Sequence, residues 1–416
     1  MKNWKIVSLF VTMSLAISLV ITGCGEETKI TSKPVIEGDV LDSKSWSKAY
    51  PDQYKSYLKN NEQAKTDFGG SVPESKFISE PEIVKLFAGY GFSKEYNEDR
   101  GHTNALQDLL DSERVNEKTP GTCLSCKTPY VPKLMKEMGS AYYTTPVKEL
   151  VKTKDVKHAI GCASCHNPET NELEVTKPDV IAAWKKLGID VNKATQQEMR
   201  TLVCAQCHVE YTMKKDTKEI IFPWDNGREP EQILAYYDKI DFFDWEHPDS
   251  KGKMLKTQHP EFETFSTGVH GTAGVSCADC HMPYMKENGK KMSSHWWTSP
   301  LKTIEVSCKT CHTQDVQWLK DRVKNTQTRT FNMQTKAGES LVEAHEAIKL
   351  ALLTTGNDQA KVKQAQDLIR KGQWHWDWVA AENSRGFHNP VQSMDSLGKA
   401  IDYAHQAKAM AESAHK

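Results

Sequence analysis

The chain has almost no cysteine to spare. Of eleven cysteines in 416 residues, ten fall in five C-x-x-C pairs and the eleventh is Cys24. Nothing is left for a conventional disulfide framework, although an exported protein is free to build one. Net charge is missing too: 54 basic residues face 55 acidic ones, a formal charge of −1. With no basic patch interleaved with aromatics, nothing argues for a nucleic-acid partner. Hydrophobic residues are 38% of the chain, few for this length; a bulky apolar cofactor sharing the core would relieve the shortfall. After residue 23 no run is apolar enough to span a bilayer, and no alternating strand pattern stands out.

What is present begins with a targeting segment. A short basic stretch, MKNWK, precedes the apolar run 6–23, and ITGC follows at 21–24. That order reads as a secretion signal over 1–23. Small residues directly before Cys24 resemble a bacterial lipobox, which would make Cys24 the lipidated N-terminus, tied to the membrane by its lipid; the alternative is an uncleaved anchor. Either way the domain is expected outside the cytoplasmic membrane, on its outer face. Residues 24–45 are polar and marked by Pro and Gly, and read as a tether.

Four of the five cysteine pairs continue into histidine: CASCH (162–166), CAQCH (204–208), CADCH (277–281) and CKTCH (308–312). The fifth, CLSCK (123–127), ends in lysine. A C-x-x-C pair alone fits a redox disulfide, half a zinc site, an iron–sulfur ligand or covalent haem. C-x-x-C-H is the attachment signature of c-type haem: the thiols add to the haem vinyl groups and the next residue reaches the iron. Chance would supply roughly 0.01 such motifs in a chain of this composition, so four point to haem. Zinc ribbons do not explain a histidine after each pair, and a thioredoxin-type site needs one pair, not five. Cys162, Cys165, His166, Cys204, Cys207, His208, Cys277, Cys280, His281, Cys308, Cys311 and His312 are therefore expected to hold four haems. Of fifteen histidines, eleven remain as candidate second ligands. A haem with two imidazoles has no open site and carries electrons.

Lys127 asks for more. As an iron ligand its amine must be neutral, far from an ordinary pKa of about 10.4, and burial with bonding to iron can drive that. Axial-ligand identity is one lever on haem reactivity. The reading preferred here is that CLSCK, with Cys123 and Cys126, marks a reactive haem open on its other face. A degenerate motif without haem, or a variant that only tunes potential, is the alternative.

The five motifs occupy residues 46–330 at spacings too irregular for a solenoid. The last part, 331–416, differs. Leu341, Ala344, Ile348 and Leu352 recur at helical spacing within 338–353, and Gly356 ends the run. A second stripe holds Val362, Ala365, Leu368 and Ile369. A third follows Pro390, with Met394, Leu397, Ile401, Ala404, Ala407 and Ala411. The fold class expected is mainly α: a multihaem c-type cytochrome with long C-terminal helices, packed on the haem region or on a twin subunit, and little β structure.

Four C-x-x-C-H motifs after one leading C-x-x-C-K resemble the pentahaem cytochrome c nitrite reductases that form ammonia. AGYGFSKEYNEDRGH (88–102), CAQCHVEY (204–211), KTQHPEFETFSTGVHGTAGVSCADCH (256–281), HWWTSP (295–300) and VAAENSRGFHNP (379–390) carry the same resemblance. It implies five covalent c-type haems, with Lys127 proximal at the active one and Arg114, Tyr211 and His259 lining its open face. It also implies His102 as distal ligand for the haem of Cys204/Cys207, His295 for Cys162/Cys165, His388 for Cys277/Cys280 and His270 for Cys308/Cys311. A calcium ion beside the active haem would take Glu210, the Tyr211 and Lys256 carbonyls and Gln258. Family members lacking it substitute a basic side chain. The family further implies a homodimer and a membrane tetrahaem quinol-oxidising cytochrome as electron donor. The expected reaction is the six-electron reduction of nitrite. An electron-transfer cytochrome, or a reductase of hydroxylamine, nitric oxide or sulfite, is the competing reading.

Overall fold

The computed structural model describes residues 34–414; the signal segment and Cys24 lie outside them. Among the described residues no helix is long and apolar enough to cross a membrane. Helix dominates. Strand is confined to two-stranded antiparallel pairs, the longest being the hairpin β1 (Tyr284–Glu287) and β2 (Lys290–Ser293).

The haem-motif region is built from short pieces. α1 (Glu82–Leu86) follows a loop that carries Glu80. α2 (Gln196–Ala205) leads into the third motif and starts from a capping box. There Thr195 Oγ1 accepts from the Glu198 N–H, and Glu198 Oε2 accepts from the Thr195 N–H at 2.7 Å. α3 (Glu261–Thr267) follows His259-Pro260. A tether was expected over 24–45; near its end Ser43 is buried, and its Oγ accepts from the Cys162 N–H at 3.2 Å.

Three long helices close the chain: α4 (Val316–Leu353), α5 (Gln359–Ala381) and α6 (Pro390–Ser413). Asp315, Asp358 and Asn389 cap their N-termini, and Pro390 occupies the first turn of α6, where no N–H is needed. α4 is one unbroken helix across the boundary expected at 330/331. Its first half buries Leu319, Thr330, Gln334 and Ala337, a set with little apolar periodicity to read. The expected stripes do face the core: Leu341, Ala344 and Ile348 against Ala365 and Ile369, and against Leu397, Ala404, Ala407 and Ala411. Small residues let the helices approach closely, while Trp374, Trp376 and Trp378 fill the space beyond them. Each buried indole N–H finds an acceptor, in the Pro230 carbonyl, the Gln334 carbonyl and Thr264 Oγ1 respectively.

A second, smaller core gathers Leu106, Leu124, Tyr130, Val131, Leu134, Tyr142, Val147 and Leu150 around the CLSCK motif. Gly121 is required there, since a Cβ would stand 2.1 Å from the Tyr142 carbonyl oxygen.

Candidate haem centres and active site

Each C-x-x-C-H segment winds through a single helical turn. The N–H of His166, His208 and His312 donates to the carbonyl of the first cysteine of its motif at 3.0, 3.1 and 2.9 Å, and CADCH is itself helical. Both sulfurs and the imidazole are thereby turned to one side. All ten described cysteines are free of disulfides. Cys126 of the first motif lies against Cys207 of the third, and Cys204 against Cys277 of the fourth. The attachment points therefore form a connected series.

The histidines are arranged in opposed pairs. Ring centroids are 5.8 Å apart for His102 and His208, 6.1 Å for His166 and His295, 6.3 Å for His281 and His388, and 6.1 Å for His270 and His312. Two metal–nitrogen bonds of about 2.0–2.1 Å, end to end between two rings, need a separation of this kind. In half of these rings the far nitrogen has a partner. Nδ1 of His166, His281 and His295 bonds the carbonyls of Asn171, Thr298 and Ser293 at 3.0, 3.0 and 2.9 Å, and His388 Nδ1 stands 2.5 Å from Glu382. Anchoring Nδ1 leaves Nε2 for a metal and fixes the ring plane. Burial pushes His102 down to about 3 and His281 and His295 to about 4, whereas against burial the carboxylates of Glu261 and Glu382 raise His208 and His388. His247 and His345 supply the contrast. Their rings stack at 4.0 Å, too close to admit a metal atom, and both are hydrogen-bonded to Ser250, Gln373 or the backbone.

Lys127 has no opposed imidazole. It lines a cavity together with Cys123, Cys126, Tyr211, His259 and Lys177. Burial pushes the Tyr211 phenol well above its ordinary value, so it keeps its proton. The His259 side chain is 42% exposed, while its Nδ1 is buried without a hydrogen-bond partner. Arg114 is not among the cavity-lining residues. It lies exposed, with its guanidinium 4.1 Å from the centre of the Phe92 ring; burial pushes the nearby Cys123 thiol up to about 11, against the opposing charges of Lys127 and Arg114.

Two observations test whether covalent haem fits here. The four ring pairs stand at the separation that an iron held between two imidazoles needs. Lys177 Nζ is buried with no partner, and an unpaired buried ammonium is costly; the haem carboxylates are anions that would satisfy it. The residues present fit the group. Lys177 escaped the sequence reading, since nothing in its local sequence distinguishes it from a surface lysine.

The four residues of the expected calcium set also meet. Glu210 is fully buried, accepts from the Tyr237 hydroxyl at 2.9 Å and from the Gln258 N–H at 2.6 Å, and is pushed well above the carboxylate range by burial. Gln258 Nε2 donates to the Lys256 carbonyl at 3.1 Å. The Lys256 ammonium points elsewhere, to Asp377 at 2.9 Å and to the Thr257 carbonyl at 2.6 Å. Lys256 Nζ is therefore not hydrogen-bonded to Glu210. Among the described residues no three His, Cys, Asp or Glu gather as a metal site. The Glu210 set instead offers one carboxylate with carbonyl oxygens, donors that suit a hard cation.

Fold and site together define a multihaem c-type cytochrome. The chain belongs to the cytochrome c552 family, whose pattern matches residues 42–415. It is 39% identical to the cytochrome c nitrite reductase subunit NrfA of Nitratidesulfovibrio vulgaris, over 98% of this chain and 86% of that protein. It is also 39% identical to cytochrome c-552 of Bacteroides thetaiotaomicron, over 90% and 78% of the two chains. The cytochrome c nitrite reductase of Desulfovibrio desulfuricans, described with two calcium sites in its catalytic subunit, superimposes with a TM-score of 0.86 at 40% identity, over 93% of this chain and 88% of its own.

Proposed function

We propose that the protein reduces nitrite to ammonia at the haem of the CLSCK motif: NO2− + 8 H+ + 6 e− → NH4+ + 2 H2O. The carrying observation is the asymmetry among the five motifs. Four proximal histidines each face a second imidazole, whereas Lys127 shares a cavity with Tyr211 and His259. On this reading Cys123 and Cys126 hold the active haem, which supplies the open iron site and passes on electrons from the four bis-histidine haems.

The chain's own groups do the rest. Lys127 would hold the iron of that haem through its amine. Tyr211 keeps its proton and is a hydrogen-bond donor to the departing oxygen. His259, with Nδ1 turned toward Glu261, presents its other nitrogen to substrate and delivers protons. Arg114 provides positive charge near the first motif for an incoming anion. A calcium ion on Glu210, Gln258 and the Tyr211 and Lys256 carbonyls would fix the backbone of Tyr211 and add positive potential. We place the protein outside the cytoplasmic membrane, lipid-anchored at Cys24, as a homodimer fed by a membrane tetrahaem quinol-oxidising cytochrome.

The test is nitrite-dependent oxidation of reduced methyl viologen by the five-haem protein, with ammonium quantified and Lys127→His run alongside. The expected yield is one ammonium per six electrons. Changes behind a metal ligand already cost about 10–100-fold, so replacing the ligand itself is expected to cost at least about tenfold. No nitrite consumption by fully loaded protein would leave an electron carrier.

A further inference from the structure

Glu261 opens α3 two residues after His259, and its side chain is only 9% exposed. Two imidazoles flank its carboxylate. His208 Nδ1 stands 3.6 Å from Oε1 and His259 Nδ1 3.9 Å from the same oxygen, with the two rings 6.2 Å apart. Asn383, just beyond the end of α5, donates to Oε1 at 2.5 Å and holds the group in place. Two atoms here are buried and unsatisfied: Glu261 Oε2, an acceptor, and His259 Nδ1, a donor when protonated. Buried polar groups without partners are rare in proteins, and an orphan acceptor beside an orphan donor needs only a small side-chain rotation to pair.

We infer that Glu261 is a positioning residue shared between the haem ligand His208 and the pocket residue His259. One carboxylate then orients the imidazole of the haem nearest the active site and the imidazole that faces substrate. Electron delivery and proton delivery are tied to the same group. A carboxylate behind a ligating imidazole makes it a stronger donor and favours the oxidised metal. Whatever draws the carboxylate toward His259 weakens its hold on His208.

This rests on His208 being a haem ligand and His259 facing substrate, so the first readout is taken without nitrite. Redox titration of the five-haem protein, followed by electron paramagnetic resonance, gives the potential of the Cys204/Cys207 haem. Glu261→Gln is expected to raise it by about a tenfold change in the reduction equilibrium, about 59 mV for a one-electron couple. His259→Asn, which removes no haem ligand, is expected to lower the same potential, because the carboxylate then serves His208 alone. In turnover, Glu261→Gln should lower kcat about tenfold, the lower end of what outer-shell changes cost, with little change in KM; Glu261→Asp should restore part of it. In a His259→Asn background the kcat loss should vanish. An unmoved potential in Glu261→Gln overturns the inference, as does a potential that ignores His259→Asn. Should Glu261→Gln fail to load haem, His259→Asn and Glu261→Asp carry the same titration. Failure of nitrite reduction leaves the potentials to be read on their own.

Discussion

The two ends of this chain fold on different instructions. From residue 331 onward, structure follows from helical periodicity. α4, α5 and α6 run 38, 23 and 24 residues, and their buried faces are mostly Ala, Leu, Ile, Val and Trp. The motif region has no helix longer than α2's 10 residues apart from the start of α4; its ten described cysteines are partly buried or exposed, and it buries polar side chains such as Glu210, Glu263 and Thr257. A helix can be specified by repeating one apolar contact every three or four residues. The motif region instead arranges imidazoles in pairs about 6 Å apart, a separation that suits a metal between the rings. The lesson is that cofactors can replace apolar residues as a source of core, which accounts for a hydrophobic fraction of only 38% in 416 residues.

The sharpest way to break that comparison is to remove the attachment chemistry. A chain with all ten motif cysteines changed to serine should lose most structure in the motif region, because ligand binding and folding are then one equilibrium. Far-UV circular dichroism should retain at most the signal of α4–α6, and limited proteolysis should cut first between residues 100 and 315. A serine variant with native protection throughout would show that protein contacts alone specify the motif region.

The same contrast decides what could be read in the sequence. Covalent haem demands two thiols and a ligand at fixed separations, so the motifs were legible one by one, and the resemblance named the distal histidines that the fold brings opposite them. The stripes on α4–α6 were legible because one face repeats. Lys177 was not, since an orphan ammonium is defined by what surrounds it. Nor was Glu261, although it sits within a recognised stretch: its neighbour His208 is 53 residues away along the chain. The start of α4 was missed because Thr330 and Gln334 pack there where leucines would have signalled a helix. Arg114 was legible as a position, yet the fold lays it on Phe92, outside the cavity lining.

The seam between the regions offers a test of intermediate size. Arg385, after α5, donates to Glu80 Oε1 at 2.5 Å and to Gln334 Oε1 at 3.0 Å, and all three are buried. Burial would raise the Glu80 carboxyl, but Arg385 holds it below its ordinary range. Arg385→Met leaves a buried carboxylate without its partner, which costs about 3–5 kcal/mol. Denaturant unfolding near neutral pH should show that loss with haem content unchanged. A depressed pKa stabilises above the unfolded value and is lost as pH falls through the folded one. The deficit of the variant should therefore shrink in acid. A loss of haem on mutating Arg385 would mean that the seam is part of the haem region's own specification.

The smallest effect comes from the carboxylate two residues on. Glu82 faces Gly338 of α4, where a Cβ would come within 2.7 Å of its Cγ, and its Oε1 is buried without a partner. Burial, then Glu80 and Glu339, push it up to about 7, opposite to Glu80. A raised carboxyl means that the folded state holds its proton more tightly than the unfolded chain does. Stability should accordingly fall as pH rises from the ordinary value of 4.5 to about 7 and be level outside that window. Solvent screening at this partly open site limits the effect to about 1 kcal/mol. Glu82→Gln should remove the slope and be the more stable protein at pH 8, whereas at pH 4 the two should match. If the slope survives in Glu82→Gln, it belongs to another buried acid, and the close approach of Glu82 to Gly338 is a packing contact without electrostatic consequence.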